Sequence, residues 1–218
     1  MDYPIFDSIV NHIHGELKQR ELPIKKFKKW REEKINASGL EITIDLSGIT
    51  PFISHVEIYM DWDKFRETRL AKQLNGMNKH PLLNVNRVPN SNIDPNLDVE
   101  VTWHFNEQMV LDDELVDPNS GKVETASLWM QQINEKLNDL MPTDHVINRW
   151  HVEIEGSDDE KYLSDMNLIS YLQYPMKYHT DLNGIKKHVS RKIQELLFLT
   201  NRVVQVAEYC FPKTTVDQ

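Results

Sequence analysis

Two identical tetrapeptides, His55-Val56-Glu57-Ile58 and His151-Val152-Glu153-Ile154, are the most specific chemical signal in this chain. On an extended strand, residues two apart face the same way, so each unit points an imidazole and a carboxylate to one side, where they can clasp one ion. His104 sits in a third alternating stretch, Val99 to Phe105. Two imidazoles and one carboxylate are a ligand set that suits iron(II), manganese or zinc. His55, Glu57, His104, His151 and Glu153 are therefore the candidate ligands. A divalent metal is the only cofactor the sequence suggests, and no catalytic residue is assigned. The plainer reading of the same residues is a solvated sheet face with polar fillers. The repeat also raises a duplicated strand–helix unit, because Asp63-Lys64-Phe65 and Glu160-Lys161-Tyr162 follow the two copies as acidic helix starts.

Several other chemistries fail on residue type. Cys210 is the only cysteine, so neither an internal disulfide nor a zinc site of several thiolates can form. His151-x-Glu153 matches half of the zinc deaminase signature, whose other half is a cysteine pair that the chain lacks. Gly156-Ser157 with Asp165 could begin a two-metal phosphoryl-transfer site, but Asn167 stands where a second carboxylate is needed. There is no glycine-rich phosphate loop and no Gly-x-Ser-x-Gly elbow.

The elements that must position these residues follow from periodicity. Ile5, Phe6, Ile9, Val10, Ile13 and Leu17 recur at three and four residues and predict an amphipathic helix, which Pro23 interrupts. His12 and His14, two apart on it, point to different faces. Ile24, Phe27 and Trp30, three apart among lysines, predict a further helical turn or two, and Asn36 to Gly39 a turn. Leu40 to Leu46, Ser54 to Trp62, Val99 to Phe105 and Trp150 to Ile154 alternate apolar and polar residues and predict four strands. A short helix is expected over Lys64 to Leu74 and another over 126–140. Residues 75–96, rich in Asn and Pro, and Asp112 to Lys122 read as irregular. Ser157 and Glu160 have capping-box spacing, so a helix should carry Leu163, Met166, Ile169 and Leu172 as far as the Tyr174-Pro175 break. A long helix from about Asp181 to Tyr209 closes the chain.

These elements predict one α+β domain over 1–218. Its mostly antiparallel four-stranded sheet should have one polar face, with the helices packed on the other.

Charge narrows the partners. Lys and Arg number 25 against 34 Asp and Glu, a formal charge of -9, which repels nucleic acid and anionic membranes. The exception is Lys25 to Lys34, six cations against two carboxylates, which could grip an anion, alone or with the Asn-rich loop closing a ligand pocket. No apolar run reaches signal-peptide or membrane-span length, and the lone cysteine suits a reducing cytoplasm. The expectation is a non-enzymatic protein-interaction module of inhibitor or immunity type, presenting its acidic face to a basic partner or to its own copy. Apolar residues on more than one side of the last helix, including Phe198 and Leu199, suggest a homodimer. The alternative is a metal-dependent hydrolase or oxygenase that uses the His/Glu cluster.

Overall fold

A computed structural model of the chain describes residues 3–78, 95–106, 130–137, 145–157, 160–176, 179 and 181–210. In chain order the elements are α1 (Pro4–Gln19), β1 (Ile24–Glu32), β2 (Ala37–Asp45), β3 (Ile53–Asp63), α2 (Lys64–Asn78) and β4 (Asn96–Phe105). The helical segment α3 (130–137), β5 (His145–Ser157), β6 (Glu160–Pro175) and α4 (Leu182–Cys210) complete it. The fold is α+β, with six strands in the order β1-β2-β3-β4-β6-β5 and every neighbouring pair antiparallel. Among the described residues no helix is long and apolar enough to cross a membrane.

The two-residue period decides which face is buried. Leu40, Ile42 and Ile44 of β2, Val56, Ile58, Met60 and Trp62 of β3, and Val99, Val101 and Trp103 of β4 point into the core. Met166, Leu168, Leu172 and Tyr174 extend it across β6. All four described helices feed this one cluster, through Phe6, Ile9 and Ile13 of α1, Leu70 and Ala71 of α2, Ile133 and Leu137 of α3, and residues between Ile185 and Cys210 of α4. Two polar contacts fix helices to this side: Trp103 Nε1 donates to Thr200 Oγ1 at 3.2 Å, and Trp150 Nε1 donates to Asn134 Oδ1 at 3.0 Å.

Glu67 joins three elements with a single carboxylate. It is fully buried and accepts from the backbone amides of Ile5 (2.8 Å) and Phe6 (3.2 Å) and from Trp62 Nε1 (2.9 Å). Those amides belong to the first turn of α1, which has no side-chain cap of its own, so α2 supplies it. Burial raises the pKa of Glu67, and the donors from Ile5, Trp62 and Phe6 pull against that rise.

Four expectations are corrected. First, Ile24 to Glu32 is a strand and not a helix. A bulge between Ile24 and Lys26 breaks its alternation, and its apolar residues divide between the two faces. Phe27 stacks on His14 of α1 at 4.5 Å, while Trp30 crosses the other face and stacks on Tyr59 at 5.7 Å. Second, the segment after Ser157 is β6, paired from Ser157↔Glu160 onward, so no capping box starts a helix there. Third, the two tetrapeptide repeats lead into different elements, β3 into α2 and β5 into β6, which removes the duplicated strand–helix unit. Fourth, Gly39 lies within β2 and is not part of a turn. The turn residue is Asn36, at φ 52°.

The expected helix over Lys64 to Leu74 is present within α2. Of the helix expected over 126–140, residues 130–137 are helical and the others lie outside the described residues. Most of the Asn/Pro-rich stretch (79–94) and the link at 112–122 also lie outside them.

The second apolar side of α4 is consumed within the chain. Leu199 and Val203 are buried in the core, and α4 packs on α1, where His12 Nε2 and Ser190 Oγ meet at 2.7 Å. Phe198 remains 56% exposed under the Arg202 guanidinium, 4.9 Å from its ring centre.

Candidate functional site

The sheet face away from the helices carries the polar residues in transverse rows set by strand register. One row runs Asp45–His55–His104–Asn167–His151 across β2, β3, β4, β6 and β5. Three histidines from distant parts of the chain thus lie on one line. His55 and His151 are nevertheless three strands apart, roughly 14 Å at about 4.8 Å per strand, too far to share an ion. The five sequence candidates therefore fall into two groups.

The first group is His55, Glu57 and His104, whose ligand atoms lie within 4.8 Å of one another. The two imidazoles stack at 4.1 Å, nearly parallel, and Glu57 reaches toward both, 3.9 Å from His55 Nε2 and 3.5 Å from His104 Nε2. A bulge between Ile53 and His55 places Ser54 beside His55 opposite a single residue of β4. Ser54 Oγ lies 2.8 Å from His55 Nδ1 and 3.3 Å from the His104 carbonyl. The carbonyl can only accept, so a Ser54 hydroxyl turned to it would accept the Nδ1 proton of His55 and leave a lone pair on Nε2 facing Glu57, whereas a hydroxyl turned to Nδ1 would put the proton on Nε2. Burial, and then the neighbouring His104, lower the pKa of His55 and favour its neutral form. His104 Nε2 is itself buried and makes no hydrogen bond among the described residues.

The second group is His151, Glu153 and Asp165, also within 4.8 Å and more exposed. His151 Nε2 and Glu153 Oε1 are 3.1 Å apart, and Asn167 Nδ2 donates to Asp165 Oδ2 at 2.5 Å. Asn167 separates the groups as the cross-strand partner of both His104 and His151. It is only 5% exposed, and its Oδ1 is buried without a hydrogen bond.

Farther along β3 and β4, the same face dips into a depression of about 340 Å³ lined by Tyr59, Asp61, Asp98, Glu100, Tyr171 and Gln173. Arg66 of α2 reaches Asp98 Oδ2 and bonds Asp63 at 3.0 Å. Burial raises the pKa of Asp98 against the pull of Arg66. Arg149 donates to the Tyr171 hydroxyl at 2.5 Å, and the hydroxyl bonds Glu100 in turn, which, with burial, raises the tyrosine pKa. Trp30, stacked on Tyr59, continues this aromatic edge over Gly39.

The basic segment is largely answered by the chain's own carboxylates. Lys25 pairs with Asp45 at 2.9 Å, Lys26 with Glu41 at 2.6 Å, and Lys29 and Arg31 both with Asp7. An anion clamp there would have to break these pairs. Hydrogen bonds from Ser47 and then Lys25 hold the Asp45 carboxyl down at about 2.

Sequence reasoning identified His55, Glu57, His104, His151 and Glu153 but missed Ser54, Asp165 and Asn167 as parts of their surroundings. Reading residues 160–175 as a strand would have put Asp165 and Asn167 on the polar face. Ser54 has no such signal, because the bulge turns it there.

No protein-family model, curated protein or solved structure matches this chain.

Proposed function

We propose that the chain is a non-enzymatic binding module that docks a basic protein on the polar face of its sheet, as an inhibitor of a cationic target would. The observation that carries this reading is the depression in which Asp61, Asp98 and Glu100 lie between Tyr59 and Tyr171. Carboxylates beside aromatic faces suit lysine and arginine side chains, through charge-assisted hydrogen bonds and cation–π contact. A rigid antiparallel sheet presents them with little ordering cost on binding. The formal charge of -9 adds long-range attraction to the same class of partner.

The test uses the full chain and an arginine- and lysine-rich peptide as probe, with affinity measured across a salt series. Asp61→Asn combined with Glu100→Gln should weaken binding by at least about tenfold at low salt. Glu33→Gln combined with Glu208→Gln makes the same charge change at exposed sites off this face and should leave affinity within about twofold. Equal losses in the two double variants, or affinity indifferent to salt, would overturn the reading.

A further inference from the structure

We propose that His55, Glu57 and His104 form a binding site for one divalent transition-metal ion, a property separate from the docking of a basic protein. Three potential ligand atoms converge here from two adjacent strands, all within 4.8 Å of one another. Ser54 Oγ lies 2.8 Å from His55 Nδ1 and can accept its proton, which would leave Nε2, 3.9 Å from the Glu57 carboxylate, free to bind an ion. His104 Nε2 is buried and makes no hydrogen bond among the described residues, with Glu57 Oε2 at 3.5 Å. Two imidazole nitrogens and a carboxylate facing one another are satisfied together by a cation at their centre.

The construction resembles a ligated site in its outer contacts as well. A metal-binding histidine normally has its other ring nitrogen held by a hydrogen bond, which sets the tautomer and the ring direction. Ser54 is placed to do this for His55, and the bulge at Ile53–His55 puts the hydroxyl there. Asn167, the cross-strand neighbour of His104, holds a buried Oδ1 without a hydrogen bond and is a further oxygen donor beside the cluster. Ligand nitrogens about 2.0–2.1 Å from a tetrahedral ion sit about 3.3 Å from each other. The stacked rings, 4.1 Å between centres, reach that by rotating about side-chain bonds while the strands stay in register. Imidazole nitrogen with one carboxylate selects zinc, iron(II), manganese or nickel over calcium or magnesium. Three protein ligands also leave coordination positions for water or a bound group.

The experiment strips the full chain with chelator and titrates zinc, nickel, manganese and, without oxygen, iron(II), by calorimetry and by thermal melting. At least one of these ions should bind and raise Tm by about 5–11 °C at a hundred times its Kd. Glu57 is exposed, so Glu57→Gln should leave the fold intact while weakening that ion at least about tenfold. His104→Ala should do the same, whereas His151→Ala, three residues along the row and in the other cluster, should leave affinity within about twofold. Absence of binding by all four ions would overturn the proposal. So would full affinity in Glu57→Gln and His104→Ala, or an equal loss in His151→Ala.

Discussion

His188 shows how one side chain couples this fold to pH. It lies on α4 with its Nε2 buried and without a hydrogen bond among the described residues, edge-on to Tyr174 and 4.7 Å from the His179 ring. The groups around it, His179, Lys192, Arg191 and Glu195, are mostly cationic, and burial followed by their repulsion lowers its pKa to about 4. A base with a depressed folded pKa stabilises the fold above its unfolded value near 6.5. That contribution is lost as pH falls from there through about 4. Tm should therefore drop between pH 6.5 and 4, and His188→Leu should make the drop smaller; equal drops in both proteins would exclude His188 as a source. At this scale the sequence was only partly legible. Residue types and two-residue spacing gave His55, Glu57 and His104, because a strand's side-chain direction is local. Ser54 depends on a bulge that leaves no trace in neighbouring residues, and Asn167 on a strand whose spacing also fits a helix and on its pairing with a distant strand.

Elements with one wet and one dry face were readable, and the two that break that rule were not. β4 throughout and β3 from Val56 on alternate cleanly because the core takes one side only, and β2 keeps the same period in its residue types. β1 puts Trp30 on the polar face and turns Lys29 and Arg31 toward Asp7 of α1, so charged and apolar residues occupy both faces. In β6, Met166, Leu168, Leu172 and Tyr174 keep the two-residue period, but Ile169 is also buried, on the opposite side. Met166, Ile169 and Leu172 then mimic the three-residue spacing of a helix, and only tertiary pairing decides between the two. Gly39 reports the same packing in reverse: a Cβ there would come within 2.3 Å of the Trp30 ring. Gly39→Ala should cost about 1–3 kcal/mol in denaturant titration. Trp30→Ala in the same chain should make the second substitution much less costly, because the clash is lost with the ring. Additive costs would mean that the indole is not what forbids a side chain at Gly39.

Among the described residues, helices cover one side of the sheet, and the charges of the other side sort along it. Carboxylates and tyrosines gather on β3, β4 and β6, the histidines form a row nearer the β3 start, and the lysines lie on β1. β1 is also where the sheet ends. A terminal strand offers unpaired backbone amides and carbonyls to any extended segment that comes alongside, which makes it a seed for intermolecular sheet growth. Lys25, Lys26, Lys28 and Lys29 lie along that border, three of them paired with Asp45, Glu41 and Asp7, so a second chain approaching in register would have to break those pairs or bring its own lysines against them. The segment that resembles an anion grip in sequence is thereby expected to guard against aggregation. Lys26→Thr with Lys28→Thr should raise light scattering on prolonged warm incubation at unchanged Tm, and unaltered scattering would show that the border is protected some other way. On this reading the cluster of lysines matters for what it keeps away.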